Sequence, residues 1–303
     1  MSPITHVLSP IDFSETSRHA VDQAVAIARW YHARLTALHV YPVMFMPVPA
    51  LPAPQDRVPE SELKRVRGDA AAFLEDADTA GLNADVVVRV GQAARQILES
   101  AAALPADLIV MGTHGAGGFE RLVLGSVTEK VLRKATCPVL TVPPHAHTTA
   151  RLPFERVLCA VDFSPWSDAA LELASSLARE SGAALDLVHV IEWPWSEPPA
   201  PVLAELPSHQ ADALGEFRRY LVAGATKRLE SLVSEAIRDR CEVTVHVAHG
   251  KPYAQVLQIA RDAGADLIVL GVHGRNPIDM TVLGSTTNQI VRQATCPVLT
   301  LRN

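Results

Sequence analysis

The chain has 303 residues, 48% of them hydrophobic and 20% charged, with 27 Lys and Arg against 33 Asp and Glu for a net charge of −6. At about 150 residues per domain, this predicts two domains with sizeable cores and excludes a disordered chain. The acidic balance argues against sequence-independent nucleic-acid binding, which needs a net basic face.

The first predicted strand is the apolar run Val7–Ile11. Asp12 and Phe13 follow, and then Ser14, a residue type suited to cap a helix N-terminus. Ala20, Ala24, Ile27, Ala28 and Tyr31 have the spacing of one helical face. Leu35–Val40 is a second strand, and a loop rich in proline (Pro42, Pro47, Pro49, Pro52, Pro54, Pro59) comes next. A helix is predicted over 60–80, a strand over Asp85–Val90, a helix after Gly91, and a strand over Leu108–Met111. A glycine-rich loop then leads to a helix from Ser126 and a last strand, Val139–Val142. The stretch 143–153, polar and Pro-rich, reads as a linker. The expected domains are 1–144 and 155–303, joined by 145–154.

The same order then runs again. Val157–Val161 is a strand, Ser164 a cap with Pro165 at the first helical position, and Leu185–Ile191 a strand. A Pro-rich loop reaches Pro207, a longer helix covers 210–239, and Glu242–Val247 is a strand. A helix after Gly250, a strand over Leu267–Leu270, a glycine loop, a helix from Ser285 and a strand over Val298–Leu301 complete the copy. Residues 6–42 match 156–192 at an offset of 150 with 14 of 37 identical, and 105–142 match 264–301 at an offset of 159 with 21 of 38 identical. The chain is therefore a tandem of whole domains, with nine residues added inside the second. Alternating strands and helices with continuous Val, Ile and Leu strands predict α/β architecture: two doubly wound, open, parallel five-stranded sheets. Such sheets take ligands beyond the carboxyl ends of the strands, at the topological switch point.

The loop after the fourth strand reads Gly112-Thr-His-Gly115, nine residues, then Gly125-Ser126; in the second copy it reads Gly271-Val-His-Gly274, nine residues, Gly284-Ser285. Glycine lets backbone approach an anion, and a helix N-terminus offers unpaired N–H groups and a favourable dipole. The competing reading is a plain strand-to-helix turn. Neither a Walker loop nor a GxGxxG after the first strand occurs.

This loop pattern, the Asp at the end of the first strand and the closing CPVL strand resemble the universal stress protein family, twice over nearly the whole chain. The resemblance implies a Rossmann-like fold of the adenine-nucleotide alpha hydrolase type and an ATP site in each copy, with ADP or AMP as alternatives and Mg2+ accompanying the nucleotide. Carried over, Asp12 and Asp162 would meet ribose or adenine, Val40 and Val190 would pair with adenine through backbone, and Gly112 and Gly271 would contact ribose. Gly115, Gly125, Ser126 and Val127 would hold phosphates in the first copy, and Gly274, Gly284, Ser285 and Thr286 in the second. The resemblance also implies that the two CPVLT edges pair into a pseudo-dimer; a further homodimer is left open. The second loop has Arg275-Asn276-Pro277 in place of Ala116-Gly117-Gly118, with Met280 rather than a basic residue opposite Arg121, and Pro277 stiffens the chain, so the two sites are expected to differ.

Each candidate also has a plain structural role. Asp12 and Asp162 can cap the following helix. His114 and His273 are candidate bases or mere rim residues, with His114 a weak catalytic candidate; His39 and His189 read as sheet packing. His145, His147, His246 and His249 form no clear ligand set, so no metal site is assigned. Cys137 and Cys296 read as packing positions. No CxxC occurs among Cys137, Cys159, Cys241 and Cys296, which excludes a zinc knuckle and fits free thiols in a reducing compartment. No apolar run nears the roughly 18 residues of a membrane span, and Met1–Pro10 lacks a signal-peptide pattern, so a cytoplasmic protein is expected. Three functions remain: a nucleotide-dependent stress or signalling module with little or no turnover, a slow ATPase or phosphotransferase, and an interaction protein with vestigial loops. The apolar loop segments Met44–Met46 and Trp193–Trp195 are left without a role.

Overall fold

The computed structural model describes residues 4–42, 58–115, 124–144, 152–192, 208–273 and 283–302. Strands β1 (His6–Ile11), β2 (Arg34–Tyr41), β3 (Ala84–Val90), β4 (Leu108–Gly112) and β5 (Val139–Val142) alternate with helices α1 (Glu15–Tyr31), α2 (Glu60–Glu75), α3 (Ala93–Ala103) and α4 (Ser126–Lys134). The second half repeats this with β6 (Arg156–Ala160), α5 (Pro165–Ser181), β7 (Ala184–Ile191), α6 (Ser208–Leu232), a short α7 (Glu235–Arg238), β8 (Val243–His249), α8 (Pro252–Ala263), β9 (Leu267–Gly271), α9 (Ser285–Gln293) and β10 (Val298–Leu301). The Pro-rich loops, the glycine-loop segments 116–123 and 274–282, and most of the linker lie outside the described residues.

The strands form one ten-stranded sheet, ordered β3-β2-β1-β4-β5-β10-β9-β6-β7-β8. Within each half every pairing is parallel, and the order reverses between β1 and β4, or β6 and β9. Only the central pairing, β5 with β10, is antiparallel, joining Val139 to Thr300, Leu140 to Leu299 and Thr141 to Val298. Thr141 Oγ1 donates to the Val298 carbonyl at 3.1 Å, and Thr300 Oγ1 donates to the Val139 carbonyl at 3.3 Å. The CPVLT edges thus close on each other, as the resemblance implies, and neither apolar edge is left open to another chain.

Successive strand residues serve opposite faces. Val7, Leu35, Val110 and Leu140 pack under α1, α2, α5 and α6, in a core that runs unbroken through both halves. Leu8, Leu38, Ile109 and Val139 pack under α3, α4, α8 and α9. Both faces being covered, the strands read as continuous apolar runs. Between the halves, Tyr31 Oη of α1 donates to Glu180 of α5 at 2.8 Å.

Two helices differ from the sequence expectation. α2 stops at Glu75 instead of reaching 80, because Asp78 and Gly81 take positive φ in a turn before β3. The long helix of the second half breaks at Val233–Ser234, and Ser234 begins the separate turn α7.

Because the halves share a sheet and a core, thermal unfolding should follow a single calorimetric transition. Leu299→Ala, at a side chain 5% exposed on the central seam, should cost about 2–5 kcal/mol and shift that transition as a whole. Two separable transitions in the wild type would contradict the shared core.

Candidate functional site

The carboxyl ends of β1 and β4 diverge at the switch point, and the first turn there is built by Asp12-Phe13-Ser14. Phe13 takes φ 64°, and its counterpart Phe163 takes the same value. A non-glycine residue rarely adopts this left-handed backbone unless its surroundings enforce it. Asp12 Oδ1 accepts from Ser14 N at 3.1 Å and Ser14 Oγ at 2.5 Å. Ser14 Oγ in turn accepts from Ser17 N, capping α1. His39 Nδ1 donates to the Ile11 carbonyl at 3.0 Å, and its ring lies 4.6 Å from that of Phe13. Asp162, Ser164, Phe163 and His189 repeat every one of these contacts. Both readings of the sequence therefore meet here: Asp12 and Asp162 support a cap, and they stand at the switch point. His39 and His189 pin the strand end.

The second turn comes from β4. A Cβ on Gly115 would stand 2.6 Å from Asp12 Oδ2, so the loop backbone lies directly against that carboxylate. A Cβ on Gly112 would stand 2.7 Å from Thr16 Cγ2, one on Gly271 2.9 Å from Trp166 Cβ, and one on Gly284 2.9 Å from the Val272 carbonyl. At 112, 271 and 284 backbone atoms also lie within 3.2 Å of such a Cβ, so the chain's own packing favours glycine there, whereas at 115 only the end of the Asp12 side chain is in the way. Register pairs Ile11 with His39 and Ala160 with Val188, which brings half-buried Val40 and Val190 level with Asp12 and Asp162.

Gly125 turns the chain into α4 and supplies no side-chain cap. Its N–H donates to the Thr113 carbonyl at 2.9 Å, and its carbonyl accepts from Glu129 N. Thr128 Oγ1 donates to the Gly112 carbonyl at 2.9 Å, fastening the helix start to the end of β4; Thr287 and Gly271 repeat that bond. The amides of Ser126 and Val127 are first-turn donors with no intrahelical acceptor. Ser126 is exposed and Val127 half-buried; Ser285 and Thr286 match them. α2, α3 and α8 also start without a side-chain cap. What separates α4 and α9 is that each begins against the residue that follows a switch-point strand, through the Gly125–Thr113 and Gly284–Val272 bonds. Gly274 lies outside the described residues, as do Arg121 and Pro277.

Comparison with known proteins now decides the family. The model of the universal stress protein family matches residues 3–143 and again 153–302. This chain belongs to the universal stress protein family. A universal stress protein of Mycolicibacterium smegmatis is 29% identical over 304 residues, covering 98% of this chain and 96% of that protein. Another, from Methanocaldococcus jannaschii, is 38% identical over 138 residues, covering 45% of this chain and 80% of the relative. The crystal structure of a universal stress protein from Archaeoglobus fulgidus superposes with a TM-score of 0.66 over 98% of this chain and 96% of that one; at 24% identity this is a likeness of fold.

The two copies of this family member differ beside the glycine loop. His114 Nδ1 is 2.9 Å from Thr113 Oγ1 in the first. In the second, Val272 replaces that threonine, and His273, 5% exposed, packs against Trp166 with ring centroids 5.8 Å apart. Sequence reasoning missed Trp166 and the two threonines at the helix starts; the repeated Gly-Ser-x-Thr at 125–128 and 284–287 was the available signal. Burial pushes the Cys137 thiol up to about 11 and Cys296 to about 12, which fits their reading as packing positions. Among the described residues, no three His, Cys, Asp or Glu side chains gather around a metal position, and no helix is long and apolar enough to cross a membrane.

Burial, and then the charge of Arg302, hold His273 below its ordinary value of 6.5. The unfolded chain therefore takes up that proton first, so the stability involved is complete above the unfolded value and is lost as pH falls through it. His273→Gln should make the urea midpoint fall less between pH 7.5 and pH 5.5 than in the wild type, and an equal fall in both would contradict this assignment.

Proposed function

We propose that each half binds one adenine nucleotide beyond the carboxyl ends of its strands, as a nucleotide-dependent module of stress response or signalling with little or no turnover. The supporting observation is the start of α4 at the same strand-end side as the Asp12 carboxylate of the β1–β4 switch point, with the first-turn amides of exposed Ser126 and half-buried Val127 free of intrahelical acceptors, and its repetition at α9 and Asp162. The two kinds of group suit a ligand with two kinds of chemistry. A carboxylate favours hydroxyl donors such as those of ribose, and helix amides favour phosphate oxygens. In this reading Asp12 and Asp162 take the sugar, and the backbone at Val40 and Val190 meets the base. The Gly112 and Gly271 turns bring backbone to the ribose. Gly115, Gly125, Ser126 and the Val127 amide hold phosphates in the first copy, and Gly274, Gly284, Ser285 and the Thr286 amide in the second.

ATP is the expected ligand, ADP and AMP being smaller occupants of the same groups. Magnesium enters only as the counter-ion of the phosphates. Phosphoryl transfer relies on cationic charge at the transferring group. The cations between Gly112 and Ser126 and between Gly271 and Ser285 are one arginine each, Arg121 and Arg275, at non-equivalent positions and without a Lys, so the repeated loop carries no cation common to both copies, which favours binding over turnover. The units of binding are the halves 1–144 and 155–303, joined by 145–154, acting in the cytoplasm.

Titration of nucleotide-stripped protein with ATP and magnesium tests the reading. Two equivalents should bind. Ser126→Glu places a carboxylate where phosphate is assigned, while a Glu in a helix's first turn is favourable to folding. The variant should retain the wild-type melting temperature and weaken one of the two sites by at least about tenfold, or roughly 1.4 kcal/mol. Wild-type protein that takes up no ATP, or a variant that binds two equivalents unchanged, would falsify the assignment.

A further inference from the structure

The groove between α5 and the α6–α7 corner differs from its counterpart in the first half. There, Arg18 of α1 crosses to the end of α2: its guanidinium lies 3.6 Å from the Phe73 ring centroid, donates to the Phe73 carbonyl and stands 3.4 Å from the Asp76 carboxylate. Three turns further along α1, Arg29 donates to the Asp78 carbonyl at 2.7 Å. Two arginines thus tie α1 to the turn that follows α2.

The second half keeps the basic residue of one tie and inverts the charge at the other. The offset of 150 between α1 and α5 puts Arg179 in the place of Arg29 and Asp168 in the place of Arg18. The offset of 159 between the next helices puts Leu232 in the place of Phe73 and Ile237 in that of Asp78. The cross-groove bridge of Arg18 therefore has no equivalent. In its place is an open cleft of about 390 Å³, lined by Asp168, Glu172, Ser175, Arg179, Leu232 and Ile237 among others. Asp168 and Glu172 lie one turn apart on the same helix face, both exposed, and form no ion pair among the described residues. Ser175 is 7% exposed, and its Oγ has no hydrogen-bond partner.

We propose that this cleft binds a small guanidino acid, whose head takes up the role that the Arg18 guanidinium plays in the first half. A guanidinium is a planar fork of donors that matches carboxylate geometry, here Asp168 and Glu172, and Ser175 Oγ supplies a further acceptor. Leu171, Leu232 and Ile237 offer apolar surface to an alkyl stem. Arg179 stands two turns beyond Glu172, about 10 Å along the helix at 1.5 Å per residue, and meets the carboxylate at the other end. The cleft faces the outer helix layer, apart from the switch points, so this inference stands or falls independently of nucleotide binding.

The test is titration of the full chain with L-arginine, followed by backbone amide NMR shifts. Citrulline, of the same shape without the charge, and agmatine, without the carboxylate, serve as controls. L-Arginine should bind saturably at one equivalent and shift the amides of α5 and α7. Citrulline should bind at least about tenfold more weakly, since charge-assisted pairing is lost. Agmatine should bind more weakly than L-arginine in the wild type but equally in Arg179→Gln. Asp168→Asn should lower the affinity at least about tenfold, and Asp168→Arg, which puts the first half's basic residue in the cleft, should abolish binding without lowering the melting temperature. Absence of saturable binding, equal binding of citrulline, or binding that survives both Asp168 variants would overturn the proposal.

Discussion

The antiparallel pairing of β5 with β10 is the constraint on which the rest of the structure depends. Each half is a parallel sheet that ends in a short apolar strand, and such an edge invites aggregation unless it is covered. Registering Leu140 against Leu299, with a threonine hydroxyl bonded across on either side, seals both edges at once. It also fixes the geometry of everything else. One antiparallel seam between two parallel sheets makes the strands of the halves run in opposite directions, so the two switch points lie at opposite rims of the sheet. The same seam sets α1 beside α5 and merges the cores beneath them.

Each rim then uses the same local device. A left-handed Phe between Asp and Ser bends the chain out of β1, and the Asp carboxylate holds the bend through the amide and hydroxyl of that Ser. The loop after β4 comes so close to this carboxylate that any side chain at 115 would have to displace the Asp12 oxygen. Backbone packing thus favours the glycines at 112, 271 and 284 whether or not a ligand is bound. Phosphate binding as proposed therefore depends less on the glycines than on where α4 and α9 begin.

Much of this was legible in the sequence. Strands buried on both faces appear as plain apolar runs, so Val139–Val142 and Val298–Leu301 were placed to the residue, and Ser14 and Ser164 announced their helices through cap chemistry. The central seam was implied by the family resemblance, whose last-strand edges pair, and the two CPVLT segments supply those edges. Less legible were contacts between residues far apart in the chain. Nothing local shows that Trp166 would pack on Gly271, or that Thr128 would fasten α4 to Gly112. The end of α2 was misplaced for a related reason: residues 76–80 have ordinary helix-compatible types, and the positive φ at Asp78 arises from the turn that must deliver the chain to β3. His39 and His189 were read as sheet packing, and their bonds to the strand-end carbonyls make that role specific.

Divergence between the copies follows the same logic. The frame of strands, caps and helix starts is kept, whereas Thr16 has become Trp166, Arg18 has become Asp168, and the helix before β8 is longer than its partner. The central claim is that the two rims are matched nucleotide sites on one continuous sheet. A crystal structure of the nucleotide-stripped protein soaked with ATP and magnesium tests it most directly. Phosphate oxygens within hydrogen-bond distance of the Ser126 and Val127 amides, with ribose at Asp12, and the same at Ser285, Thr286 and Asp162 on the opposite rim, is the result expected. Nucleotide bound away from both helix starts, or neither rim occupied at saturating ATP, would contradict it.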